Sequence, residues 1–295
     1  MDLLDVSVFV AAVEAGSLAG AARRCGVPAL TASRRLAALE KALGARLMHR
    51  TTRALALTGE GEKFLPFARG LLEAEAGARA ALAGDPALTG GLLRLTASAA
   101  FGRLVLTPII AGFLREHPRL EIDLMLTDAM VDVVGQGLDL AIRIAEMRDS
   151  SLVARRVGDS PRGLYAAPGY LARSGTPAAL ADLERHQCLP LAGTTHWSFR
   201  SGERTVRLRA RGRLSINSVD ALREACVAGA GVAMLSDWHV QADLAEGRLV
   251  ELSFPATIIE PLGIWAVLPS SRMAPPRTRL FVDHLARTLR ARADG

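Results

Sequence analysis

Apolar residues near the start of the chain recur at helical spacing. Leu4, Val8, Phe9, Ala12 and Val13 fall on one face. Gly16 ends that helix, and Ser17 supplies a cap for a second over residues 18–24, stopped by Gly26. Pro28 suits the first turn of a third helix, which runs to about Leu43 with Gly44 after it. Leu36, Leu39 and Leu43 form its expected buried stripe, and Arg34 and Arg35 fall off it. Two helices thus flank the turn Cys25-Gly26-Val27-Pro28, with adjacent arginines near the front of the second. That is helix-turn-helix spacing, in which the second helix enters a major groove N-terminal end first. Past Gly44, Leu55 and Leu57 alternate with Ala54, Ala56 and Thr58, which predicts a small wing. Arg50, Thr51, Thr52 and Arg53 stand together there, four groups able to hold phosphate oxygens.

Thr58 can cap a longer helix with Glu60 in its first turn. Phe64, Phe67, Leu71, Ala74, Ala78 and Ala81 then repeat at heptad spacing, which predicts a seam against a second copy. Pro66 should kink that helix or remove a hydrogen bond. Gly84-Asp85-Pro86 and Gly90-Gly91 mark a linker. From there on the chain alternates strand and helix, the pattern of parallel sheets. Strands are expected at 92–98, 120–126, 139–144, 162–167, 213–216, 231–236 and 263–269. Helices are expected at 101–116, 131–136, 168–173, 178–185 and 218–228, and at the end of the chain.

A length of 295 residues implies two or three domains. The net charge of +6 is unevenly placed. Between Gly16 and Leu57 eight basic residues face one acid, Glu40, a local +7 that leaves the remainder at −1. That block is the electrostatic footprint of phosphate binding. Cys25, Cys188 and Cys226 are far apart and suit neither a disulfide framework nor zinc, so reduced thiols and no metal are expected. The N-terminus carries Asp2, Asp5 and Glu14 and no basic segment, and no long apolar run exists. The expected location is the cytoplasm. No GxSxG, HExxH, P-loop or GxGxxG stands in a fitting context, and the six histidines lack metal-ligand spacing. No catalytic residue and no cofactor is expected. Two other readings fit less well. A transport-type binding protein would not need the basic head, and a sequence-neutral architectural DNA protein would not need about 200 further residues of α/β fold.

The strings EAGS with AARR, TASRRLAALE, LGARLMHRTTR and LTGEGEKFL together resemble the head and linker helix of LysR-type transcriptional regulators. FLREHP, DLAIRIAEMRDSSLVARRVG, APGYLARSG and GAGVAMLSDW extend the resemblance over nearly the whole chain. It implies an all-α winged helix-turn-helix over 1–58, a linker and dimerisation helix with hinge over 59–89, and an effector domain over 90–295. The last is an α/β fold like the periplasmic binding proteins. Its first lobe takes about 90–161 and 268–295, and its second about 162–267. The implied protein is a homodimer through the linker helix, a homotetramer in full. It binds an operator in double-stranded DNA, responds to a small-molecule effector and engages RNA polymerase. Ser33 and Arg34 fall where the family's recognition helix contacts DNA. Ser17, Arg50, Thr51 and Arg53 fall on its phosphate-contact positions. Arg34 has the reach for a guanine O6/N7 pair. Where many relatives have Ser-Gln-Pro-Ala-Val before Ser-Arg-Arg, this chain has Pro28-Ala29-Leu30-Thr31-Ala32. Readout there passes to apolar contact by Ala29 and Leu30, or to Thr31.

For the effector, the resemblance points to Ser98 at the end of the first sensor strand, followed by Ala99, Ala100 and Phe101 at a helix start. Such a start favours an organic anion. Thr127 ends the next strand, Asn217 and Ser218 open a helix in the second lobe, and Thr195 and His196 are expected on the far wall. Arg143 is the candidate counter-charge. Local helix capping is the alternative role for Ser98, Thr127, Asn217 and Ser218.

Overall fold

The computed structural model describes residues 1–50, 55–83, 90–146, 153–269 and 274–293. They divide into two compact units, Met1–Thr89 and Gly90–Gly295.

In the first unit, α1 (Leu3–Ala15), α2 (Leu18–Arg24) and α3 (Ala29–Leu43) precede a hairpin of β1 (Met48–Arg50) and β2 (Leu55–Leu57). Val6, Phe9, Ala21, Leu36, Leu39 and Leu47 form the core between them. Leu43 departs from the expected stripe and is 38% exposed. Glu40 takes the inner position instead. Its Oε1 accepts the N–H groups of Leu47 (2.9 Å) and Met48 (3.2 Å), which fixes the wing to the third helix. A long helix, α4 (Gly59–Ala83), continues through Pro66. Thr58 caps it, accepting from the Gly61 N–H at 3.0 Å. Gly61 is required by close approach, because a Cβ there would lie 2.0 Å from the Leu47 carbonyl oxygen. Phe64, Leu65, Ala68 and Leu72 pack inward on this unit's core. Phe67 and Leu71 do not, and Phe67 is 68% exposed.

The second unit has two lobes. The first begins with β3 (Gly91–Ala97), α5 (Ala99–Phe101), a π-helical segment over 102–106 and α6 (Thr107–Glu116). It continues with β4 (Leu120–Leu126), β5 (Leu140–Ala145) and β6 (Val153–Ser160). The chain then builds the second lobe. This comprises β7 (Arg162–Ala166), α7 (Pro168–Ser174), a 3-10 helix (Leu180–Arg185) and β8 (Cys188–Leu189). After them come β9 (His196–Ser201), β10 (Arg204–Arg209), α8 (Val219–Val227), β11 (Val232–Ser236), α9 (Asp237–Ala245) and β12 (Val250–Leu252). It returns to the first lobe with β13 (Leu262–Leu268) and α10 (Pro276–Ala293).

The first sheet has the order β4-β3-β5-β13-β6, and the second β12-β7-β11-β8. β3 is parallel to both β4 and β5, so the chain leaves β3 to one side and then returns to the other. Such a switch point opens a crevice at the carboxyl ends of the strands.

Four further expectations need correction. Residues 262–267 belong to the first lobe, because β13 is hydrogen-bonded between β5 and β6. Residues 131–136 form turns rather than a helix, since the Asp132 carboxylate takes the N–H groups of Val134 and Gly135. Residues 213–216 contribute a single bridge, Ile216 to Leu191, rather than a strand. The antiparallel hairpin β9–β10 stands where none was expected.

Candidate nucleic-acid interface and effector site

The front of α3 is laid bare by its own sequence. Pro28 precedes it in extended backbone with no side-chain cap, and Ala29, Leu30 and Arg34 are exposed, Leu30 by 65%. Thr31 and Ser33 are half-buried beside them. The adjacent arginines part ways. Arg35 turns back onto α1, where it donates to Asp5 (2.9 Å) and Asp2 (3.0 Å). The Leu4 N–H and then Arg35 hold the Asp2 carboxyl below the usual carboxylate range. Arg34 has no ion pair among the described residues. Ser17 caps α2, accepting the Gly20 N–H at 3.1 Å, and its hydroxyl hydrogen remains available to donate. Arg50 pairs with Leu55 in the wing ladder. Thr51 and Arg53 lie outside the described residues.

Strand register assembles the first half of the expected effector site. Ala97 pairs with Leu126 on one side and with Ile142 on the other. Ser98, Thr127 and Arg143 each stand one residue further on, and so share one rank across three neighbouring strands, just past the ends of β3 and β4 and inside β5. That rank spans about 10 Å, two strand spacings. Ser98 makes no side-chain cap bond to its helix. Thr127 Oγ1 accepts the Ala129 N–H (3.2 Å), a local turn. The Ala99 N–H donates to Asp128 Oδ1 (3.0 Å), so a carboxylate of the chain's own already occupies that donor. Arg143 is half-buried and donates to Thr96 Oγ1 (3.3 Å) and the Ile142 carbonyl (3.2 Å). Burial pushes its guanidinium below the ordinary value, against the attraction of Asp128. It has no carboxylate partner among the described residues.

Ala100 and Phe101 are not on this surface. Both are buried, with the Phe101 ring edge-on to Trp238 at 5.4 Å, because the helix turns them toward the seam between the lobes. On the second lobe, Ser218 caps α8 through the Ala221 N–H (3.4 Å), and Asn217 is exposed before it. Thr195 and His196 are exposed and bonded to each other (3.0 Å) at the start of β9. The residues that join the lobes were not among those expected. Asp220 in the first turn of α8 accepts from Arg103 (2.8 Å) of the first lobe and bonds His239 Nε2 (2.9 Å). Burial raises the Asp220 carboxyl, but these two bonds outweigh it and hold it low. Behind them, Trp238 Nε1 donates to Ser160 Oγ (2.9 Å), which donates to Ser236 Oγ (2.9 Å). Only charge at a helix start could have pointed to Asp220, and that pattern is common.

Among the described residues no cluster of metal-binding side chains is found, and no helix is long and apolar enough to cross a membrane.

Known proteins share this arrangement. Residues 3–62 match the family described as bacterial regulatory helix-turn-helix protein, lysR family, and residues 86–290 match the LysR substrate binding domain. The regulator DmlR of Escherichia coli is 32% identical, over 96% of this chain and 93% of its own length. PtxR of Pseudomonas aeruginosa is 34% identical, over 97% of this chain and 92% of its own. The solved structure of CrgA, a LysR-type transcriptional regulator from Neisseria meningitidis, aligns with a TM-score of 0.62 at 30% identity. That alignment covers 97% of this chain and 98% of that one. A DNA-binding head followed by an effector-binding domain, in a group of regulators that are not enzymes, makes this chain a member of the LysR family of transcriptional regulators.

Proposed function

We propose that residues 1–58 read an operator, that 59–89 pair two subunits, and that 90–295 carry the effector site. The front of α3 does the reading. Arg34 bonds a guanine edge, Ala29, Leu30, Thr31 and Ser33 line the groove, and Ser17, Arg50, Thr51 and Arg53 hold phosphates. One observation carries this reading: of two adjacent arginines, Arg35 is committed to Asp2 and Asp5, and Arg34 is left exposed. Leu30 beside it suits a thymine methyl. Selection of sites from random duplexes, followed by footprinting at moderate salt, tests it. A defined motif with protection over several helical turns is expected. Uniform weak protection that disappears with salt refutes it.

The effector is an organic anion held by Ser98, Thr127 and Arg143, with the Ala99 N–H as a further donor. Its carboxylate competes with Asp128 for that donor. Asn217, Ser218, Thr195 and His196 close the site from the second lobe. A panel of small organic acids, screened by thermal shift against the chain and against Arg143→Gln, tests this. A hit that survives the substitution removes Arg143 from the site. The exposed Phe67 and Leu71 of α4 supply the dimer seam, and two dimers form the working tetramer in the cytoplasm, where it engages RNA polymerase.

A further inference from the structure

The effector-binding unit carries a second basic surface, which the helix-turn-helix does not account for. Between His196 and Arg213 stand Arg200, Arg204, Arg207, Arg209, Arg211 and Arg213, against one acid, Glu203. β9 and β10 form a hairpin closed by Gly202-Glu203, with Arg204 opposite Ser201. Strand alternation sorts its faces. Trp197, Phe199 and Leu208 are buried in the core of the second lobe, and so is Ala210. Arg207, Arg209 and Arg211 alternate with Leu208 and Ala210, are exposed, and face the other way. Their guanidinium stems are spaced about 7 Å apart along the chain. Across the ladder, Ser198 stands opposite Arg207, and His196 opposite Arg209.

This is a fixed platform. The Arg211 carbonyl accepts the Cys188 N–H (2.8 Å), and the Arg213 N–H donates to Gln187 Oε1 (3.2 Å). Gly212 lies so close to β8 that a Cβ would fall 2.0 Å from the Cys188 carbonyl oxygen. Among the described residues only Arg200 of the six is ion-paired, with Glu260 at 2.6 Å. The other five hold like charges side by side, an arrangement that a polyanion relieves.

We propose that the outer face of this hairpin, centred on Arg207, Arg209 and Arg211, binds the phosphate backbone of duplex DNA, so that the effector-binding unit grips DNA as well as the head. Trp197, Phe199 and Leu208 are turned inward, and Val206, 39% exposed, stands opposite Phe199 rather than among the arginines, so the arginine face offers no anchor of the kind on which protein interfaces centre. Arginines beside serine are groups that hold phosphates. The proposal rests on the DNA-binding reading above.

The test compares the full chain with the variant Arg207→Gln/Arg209→Gln/Arg211→Gln on a duplex of about 80 base pairs that carries a site recovered by selection. Affinity is measured across a salt series. Thermal melting confirms that the variant is folded, and an Arg→Lys triple variant restores the charge. The variant's salt dependence is expected to be shallower by about 2.7 in log K against log salt for each subunit whose hairpin meets the duplex, at about 0.9 for each phosphate that is no longer neutralised. Its preference for the operator over random duplex is expected to stay unchanged, because phosphates carry no sequence. The lysine variant returns the slope. Equal slopes for parent and glutamine variant overturn the proposal. Lost transcription in vitro with an unchanged slope overturns it too, and assigns the face to an acidic protein. Should the parent show no sequence preference, the reading of the head fails, and the slope comparison on random duplex still decides the hairpin.

Discussion

Glu40 is one side chain on which the geometry of the DNA-binding head depends. It is buried, and one carboxylate oxygen takes two N–H groups where the chain enters the wing, from Leu47 and Met48. Replacement by alanine leaves both donors unpaired among buried neighbours, at about 1–3 kcal/mol each. Removal of a carboxylate near a helix C-terminus returns about 0.3–1 kcal/mol. The 3.2 Å bond to Met48 is the weaker of the two, so the net loss is about 2–4 kcal/mol. At 1.4 kcal/mol per tenfold, local opening of the wing becomes roughly 30–700 times more frequent. Hydrogen exchange of the full chain, read on peptides covering residues 45–49, measures this directly. Glu40→Gln keeps an acceptor oxygen, and its exchange is expected to rise less than about tenfold. Peptides from α1 serve as the internal reference. If Glu40→Ala exchanges within about threefold of the parent, the carboxylate does not secure the wing, and the reasoning is wrong.

Three further outcomes are expected. Arg34→Ala should lose about 1–3 kcal/mol of discrimination between operator and random duplex. Equal weakening on both would make Arg34 a phosphate contact. Ser98→Ala should blunt the response to the anion found in the thermal-shift screen while leaving operator affinity unchanged, and lost DNA binding would show a purely structural role. Burial, opposed by Asp220, holds the His239 imidazole below its ordinary value of 6.5. The folded chain therefore resists a proton that the unfolded chain accepts, and stability should fall as pH drops below about 6.5. Melting curves at two pH values check this, and the drop should flatten in His239→Gln; an unchanged pH dependence in that variant removes His239 from the account.

Much of the head was legible in the sequence because its determinants are local. Ser17, Gly16, Pro28 and Gly44 bound the helices, and Leu36 and Leu39 face the core. The features that escaped are tertiary. Spacing cannot show that Arg35 meets Asp2 and Asp5, which are 33 and 30 residues away. Nor can it show that Glu40 displaces Leu43 from the interior. Ser98 and Thr127 were readable as strand ends, but only sheet order places them beside Arg143. β13 reads as a strand on any pattern, and its sheet is decided by partners more than 100 residues distant. The hairpin β9–β10 was available in principle. Trp197 and Phe199 alternate on one side of Gly202-Glu203, and Val206 and Leu208 on the other, but the four arginines of the hairpin mask the apolar signal.

The position of β13 also bears on the order in which a newly made chain acquires its parts. The head is one continuous stretch, complete once residue 89 has been made, and it folds from near neighbours. The first lobe's sheet cannot close until residues beyond 261 arrive to bridge β5 and β6, long after both have emerged. During that interval β5 and β6 present open edges, the hazard that accompanies late-closing sheets. In a nascent chain the head is therefore free to fold before the effector-binding unit does.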